Sequence, residues 1–277
     1  TGADWRPSKR GYPKIGSLLK NMKPSILVVT ATLGTRKTIE KTITSVKNIG
    51  KGLVKHVIIA PEHAILTLKQ QYPDLEYIAE PQNKKGIYAA LNYAFYTYGN
   101  DYKYLTFIND DDYWLPQFQI LIDTIIQNTN LDFVYGKTLY INEDNIPIGK
   151  QTSANMFKKF IPLLNSNIIL LTQQATLIKS SLFFQIGGFD ENYKLVADTK
   201  FWAILSLKDI NYKYINKCCA AYTLQEGQLS ADTSTQSKEH LKLIKELPQF
   251  SKWEITKNKI IFRLNNLSTY INRLIKQ

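Results

Sequence analysis

Between residues 25 and 109 the sequence alternates between short runs of β-formers and amphipathic stretches, and this order constrains the fold more than any other feature. SILVVTA (25–31), KHVIIA (55–60), LEYIA (75–79) and KYLTFIN (103–109) read as strands. TRKTIEKTITSVKNI, with apolar residues at 39, 43, 46 and 49, reads as a helix, as do EHAILTLKQQY and GIYAALNYAFYTYG, the last closed by Gly99. A helix between successive strands returns the chain so that the next strand runs parallel to the last. The expected class is therefore α/β, with a mostly parallel, doubly wound central sheet. Such sheets take ligands at the carboxyl ends of their strands.

Beyond Pro116 the pattern predicts a helix over 117–129, a strand at DFVYGKTLYI and a turn at EDNIP. Residues 151–172 read as irregular, DTKFWAILSLK as a helix, and NYKYIN and CAAYTL as two short strands. From about 237 the chain reads as a helical extension to its end, broken near Pro248.

With 44% hydrophobic and 12% aromatic residues the chain has the composition of a packed globular protein. Its longest apolar runs, SILVV and NIILL, fall far short of the roughly 20 residues that a spanning helix needs. The first 23 residues are basic and interrupted by two prolines, unlike a signal peptide, so a soluble or surface-bound protein is expected. Adjacent Cys218 and Cys219 provide no disulfide framework, and His56, His63 and His240 lack the spacing of a zinc site. The net charge of +12 favours a polyanionic partner: nucleic acid, an anionic membrane or a phosphorylated ligand. Because the basic residues crowd the two ends while the middle holds most of the acids, surface docking fits better than a nucleic-acid channel. No nucleic-acid partner is expected.

The fourth strand runs straight into Asp110, Asp111 and Asp112. Clustered carboxylates at a strand end suit hard cations such as Mg2+ or Mn2+, which take phosphate oxygens as further ligands. A solvated turn or a helix N-cap at Asp112 accounts for them equally well. Upstream, Gly86 opens a helix after a polar loop, where free backbone N–H groups could meet a phosphate; an ordinary loop-to-helix junction has the same pattern.

The order of these segments is more specific than either alone. EPQNKKGIYAALNYAF (80–95), then YKYLTFINDDDYWLP, VYG (134–136), QQATLIKSSLFFQIGGFDENY (173–193) and VADTKFW (196–202) together resemble glycosyltransferase family 2, the inverting nucleotide-sugar enzymes of the A-type fold. The resemblance covers roughly residues 24 to 230. It implies Asp111 as the main ligand of a Mn2+ or Mg2+ ion on the donor diphosphate, assisted by Asp110 and Asp112, with Asn109 in the motif's first position. It implies a donor site lined by Thr30, Ala31, Thr32, Lys85, Gly86, Asn92, Asn109 and Asp110, and Asp198 as the catalytic base. Gly187, Gly188, Gln173, Gln174 and Trp202 fall on the acceptor side. It divides the chain into a basic extension (1–23), a transferase domain (24–235, with a nucleotide-sugar half to 116 and an acceptor half from 117) and a basic helical segment (236–277).

Without the resemblance, Asp198 reads as a helix cap, the two glycines as a plain turn, and Trp202 as core. Two departures stand out: the pair at 173–174 is Gln-Gln where the family often has His-Gln, and APEH (60–63) replaces the usual base-reading Asp, leaving Glu62 as its substitute. The implied partners are a nucleotide-diphosphate sugar, by default a UDP-sugar, and a glycan or lipid-linked acceptor, in bacterial surface polysaccharide synthesis. The implied location is cytoplasmic, including the inner face of the membrane. Apolar residues at 260, 264, 267, 271 and 274 form a stripe that suits packing on the domain itself, an anionic membrane or a partner helix. The competing functions are a basic nucleic-acid-binding protein, with steeply salt-dependent affinity, and a scaffold that has lost catalysis.

Overall fold

The computed structural model describes residues 25–225 and 232–275, so the basic extension expected over 1–23 lies outside the described residues. The chain runs β1 (Ile26–Ala31), α1 (Ile39–Gly50), β2 (Val54–Ala60), α2 (Glu62–Gln71), β3 (Glu76–Ala79), α3 (Ile87–Tyr98) and β4 (Tyr104–Phe107), the alternation read from the sequence. Five of the six residues of β1 are buried, as befits a central strand. It lies parallel to β2 on one side and to β4 on the other, with β3 beyond β2. Leu27 and Val29 pack towards α3, whereas Ile26 and Val28 pack with Val46 of α1, so helices cover both faces.

The second half continues through β5 (Tyr113–Trp114), α4 (Phe118–Gln127), β6 (Phe133–Ile141), β7 (Pro147–Lys150), α5 (Phe160–Leu164), β8 (Thr176–Lys179), α6 (Ser180–Ile186), α7 (Ala197–Ser206) and β9 (Tyr212–Thr223). The nine strands make one sheet in the order β3-β2-β1-β4-β8-β6-β9-β5, with β7 pairing β6. The parallel part is the first half. In the second, β8 is inserted antiparallel between β4 and β6, and β5 pairs antiparallel with β9. This is the α/β architecture of the A-type fold, its C-terminal half mixed.

Two local expectations change. Residues 151–172 contain a 3-10 turn (Phe157–Lys159) leading into α5, whose five residues are all buried. The two short strands expected after residue 210 are one strand, β9, which stays paired with β6 through register shifts between Tyr135 and Thr138. Bulges absorb the residues that look like a break in the sequence.

Three helices close the chain: α8 (Thr233–Glu246), α9 (Lys252–Asn265) and α10 (Leu267–Ile275). Asp232 caps α8 by accepting from Thr235 N–H at 3.0 Å, and Ser251 with Glu254 forms a capping box on α9. Phe262 anchors α9 in the core. Among the described residues no helix is long and apolar enough to cross a membrane.

Candidate active site

The chain leaves β4 into a tight turn, Asp112 N–H donating to Asn109 O at 3.2 Å, and its three aspartates enter different surroundings. Asp110 and Asp111 converge: Arg36 Nη1 donates to Asp110 Oδ1 at 2.9 Å and to Asp111 Oδ2 at 2.6 Å. Thr32 Oγ1 donates to Asp110 Oδ2 at 2.6 Å, and Gln225 Nε2 to Asp111 Oδ2 at 3.1 Å. Burial raises the Asp110 carboxyl above its ordinary range, while Thr32 and Arg36 act against that rise.

Asp112 is turned inward and fully buried. Its Oδ1 accepts from Thr223 N–H at 2.9 Å, and its Oδ2 from Gln174 Nε2 at 2.7 Å and Asn109 Nδ2 at 3.2 Å. Burial and the neighbouring Asp111 charge push it well above the carboxylate range, against these three donors. Asp112, expected to assist in holding the metal, braces the acidic loop against β9 through these bonds, with Gln174 and Asn109 as donors.

Among the described residues no group of three or more His, Cys, Asp or Glu is arranged to hold a metal ion. Two carboxylates do face one point, occupied by the Arg36 nitrogen as a stand-in positive charge. That donor set fits Mg2+ or Mn2+, which bind through one or two carboxylates and fill the remaining positions with water and substrate phosphate.

The second half of the site is built on α3. Gly86, its N-cap, has φ 103° and ψ 156°, a conformation open essentially to glycine alone. Two residues on, in the first turn, Tyr88 OH donates to Asp198 Oδ1 at 3.1 Å. Asp198 stands in the first turn of α7, half-buried, and the same oxygen accepts from Thr199 N–H at 2.7 Å. Burial raises its carboxyl above the ordinary range despite these bonds. Glu239 of α8 accepts from the N–H groups of Lys194, Leu195 and Val196 at 2.7, 2.9 and 3.2 Å, fixing the approach to Asp198. Lys200 joins Asp190 and Glu246, each at 2.7 Å.

Asn92, expected on the donor, is spent on the GGFDE loop. Its Nδ2 donates to Phe189 O and its Oδ1 accepts from Phe189 N–H, both at 2.8 Å. Gly187 and Gly188 carry φ of 92° and 75°, and a Cβ on Gly188 would stand 2.7 Å from Asn92 Oδ1. Gly188→Ala is expected to cost about 1–3 kcal/mol of stability through this strain and contact. Urea unfolding at neutral pH measures it, and an unchanged midpoint would remove the close-packing account of this loop.

The remaining expected residues are scattered in role. Thr30 is buried and its Oγ1 lies 2.9 Å from His56 Nε2, so its side chain faces the interior rather than a base. Burial lowers His56 to about 3, which keeps its ring neutral. Ala31 is half-exposed at the strand end, and Glu62 and Lys85 are exposed beside the same edge. Neighbouring Lys84 pairs with Glu191 at 3.0 Å. Gln173 is buried with neither amide atom partnered. Trp202, expected on the acceptor side, packs in the core, stacked on Phe133 at 5.2 Å and edge-on to Phe201 at 5.0 Å. A concavity of about 390 Å3 between α1 and Tyr113 includes none of these residues. Arg36, Tyr88, Thr223 and Glu239 are the participants that the sequence did not single out. Arg36 alone had a signal, as one of two adjacent cations, with Lys37, in the loop after the first strand.

The family model for glycosyl transferase family 2 matches residues 27–189. Among solved structures, TarS 1–349 of S. aureus in complex with UDP-GlcNAc is similar, with a TM-score of 0.59 and 18% identity over 80% of this chain and 65% of that one. The longer TarS structure has a TM-score of 0.58 at 15% identity, over 89% of this chain and 44% of that one. The mannosyltransferase PcManGT from Pyrobaculum calidifontis, in complex with GDP-Man and Mn2+, gives 0.54 and 12% over 83% of this chain and 67% of that one. At such identities the likeness is one of fold. This chain thus spans 65% or less of the length of these TarS chains. A search of curated proteins gave no match.

Proposed function

The chain belongs to glycosyltransferase family 2, and from that premise we propose that it is an inverting transferase. It moves a sugar from a nucleotide diphosphate donor, by default a UDP-sugar, to a hydroxyl of a glycan or lipid-linked acceptor. The observation that carries this reading is one sheet edge with two convergent carboxylates, Asp110 and Asp111, and a separate desolvated carboxylate, Asp198.

In a single in-line displacement the acceptor oxygen bonds to the anomeric carbon as the bond from that carbon to the diphosphate oxygen breaks. Asp198 takes the hydroxyl proton. Its Oδ1 is held by Thr199 and Tyr88, leaving Oδ2 as the receiving atom. A divalent ion, when bound, neutralises charge on the leaving diphosphate. Asp110 and Asp111 would hold it, while Thr32, Ala31 and Glu62 would border the nucleotide and Lys85 with the Gly86 N–H would lie towards the phosphates. The unpartnered amide of Gln173 suits a sugar hydroxyl. The UDP-GlcNAc and GDP-Man complexes of the two similar proteins support a nucleotide-sugar donor.

A thermal-shift panel of nucleoside diphosphates with and without Mn2+ tests this proposal, because a ligand specific for the native state raises its stability by mass action. One nucleotide, with Mn2+ present, should raise Tm. No shift with any nucleotide would overturn the donor assignment.

The acceptor side extends this reading to a lipid surface. On α9, Trp253, Ile260 and Leu264 share the face opposite buried Phe262, with Trp253 72% and Leu264 63% exposed. Lys252, Lys257 and Arg263 border that face, and exposed Leu267 and Ile271 continue it on α10. An apolar strip edged by cations matches an anionic bilayer surface. The protein should co-sediment with phosphatidylglycerol vesicles in low salt but not with phosphatidylcholine vesicles, and Ile260→Ser with Leu264→Ser should abolish this. Absence of vesicle binding, or concentration-dependent self-association through this face instead, would refute it.

A further inference from the structure

Arg36 sits where the two site carboxylates converge, and its bonding there is of an exchangeable kind. One nitrogen, Nη1, serves both Asp110 and Asp111 at 2.9 and 2.6 Å, and the other guanidinium nitrogens have no hydrogen-bond partner among the described residues. A lasting arginine–carboxylate pair normally uses the two-pronged fork, which this contact does not form. The carboxylates are nearly buried, with side chains 9% and 4% exposed, whereas the Arg36 side chain is 35% exposed on the loop between β1 and α1. That loop is fastened separately: Thr32 Oγ1 donates to Asp110 and accepts from Gly34 N–H at 3.0 Å. Arg36 can therefore swing away while Thr32 keeps the loop in place. A guanidinium and a divalent cation cannot share these oxygens, because they need the same lone pairs and repel each other.

We propose that Arg36 is an exchangeable internal cation. It neutralises Asp110 and Asp111 while no metal is bound, yields its place to the divalent ion, and then turns its guanidinium to the diphosphate that the ion carries. This rests on the assignment of Asp110 and Asp111 to the metal. Two consequences follow from the competition. Arg36 weakens the binding of metal alone, since it must be displaced. It also couples metal to nucleotide, since the displaced guanidinium finds an anion only when diphosphate is present. A purely structural arginine would do neither.

Titrating Mn2+ alone, by paramagnetic resonance of the free ion, into the wild type and Arg36→Met separates the two accounts. Met retains the stem and loses the charge. Mn2+ should bind the variant about 5- to 100-fold more tightly, the range of an ordinary coupling. The factor by which UDP tightens Mn2+ should fall in the variant. Arg36→Lys should keep part of the competition. Equal or weaker Mn2+ affinity in Arg36→Met, with Mn2+ and UDP still binding the wild type, overturns the exchange alone. Absence of Mn2+ binding in both proteins, with and without UDP, overturns the metal assignment beneath it. Should the variant fail to fold, the wild type still decides. Arg36 is one of five arginines, so its guanidinium resonance can be followed during a Mg2+ titration. It should move to the position of a free arginine, and a resonance unmoved at saturation would overturn the exchange.

Discussion

Asp198→Asn should bind the donor as the wild type does, yet transfer sugar about 10² to 10⁴ times more slowly, the usual effect of losing a positioned general base. Asn retains the oxygen that accepts from Thr199 N–H and Tyr88 OH, and Asn caps a helix about as well as Asp. The only function removed is the capacity to take a proton. If Asp198 were merely a cap, turnover would barely change, so measuring donor affinity and turnover together in one variant is decisive.

The raised carboxyl adds two expectations of definite sign. The base must be ionised to act, so the acid limb of the rate profile should lie above the ordinary carboxylate range. For stability, a folded pKa above the unfolded value means that the protonated group favours the fold. That contribution is present at low pH and is lost as pH rises through the folded pKa. Asp198→Asn mimics the protonated form and should match the wild type in acid and exceed it at neutral pH. Melting curves across this range check it. A variant less stable than the wild type at neutral pH would mean that the charge is compensated rather than desolvated.

Asp111→Asn should abolish metal-dependent nucleotide binding with the fold intact. Asp111 and Asp110 are the two carboxylates facing the Arg36 nitrogen, and with one of them neutral the site loses half of the charge that draws a divalent ion. The variant keeps the Asp112 brace to Thr223 and Gln174, which holds the loop. Calorimetric titration of UDP in Mn2+ should show no heat above that of nucleotide without metal. Affinity equal to the wild type would move the cation elsewhere.

The parallel half of the sheet was legible because strands buried on both faces read as unbroken apolar runs, as at Ile26–Val29. The acidic loop was legible by its place at a strand end. The division of labour within it was not, because it is decided by partners remote in the chain: Arg36 is 74 and 75 positions from Asp110 and Asp111, and Thr223 is 111 from Asp112. No local pattern announces that Glu239 closes the turn before Asp198. The helical spacing did put Trp202 on the same side of α7 as Asp198. Since α7 presents its N-terminus to the site, one turn further along, about 5–6 Å, already lies in the core. The continuity of β9 escaped because its bulges interrupt the alternation that identifies a strand, leaving two short pieces in the sequence.

The most direct measurement is anomalous diffraction from crystals of the protein grown with UDP and Mn2+. One manganese peak should lie between the carboxylates of Asp110 and Asp111, joined to diphosphate oxygens, with Arg36 turned from the carboxylates to the diphosphate and Asp198 facing the vacant sugar side. A manganese peak away from these two carboxylates, or UDP bound elsewhere on the chain, would contradict it.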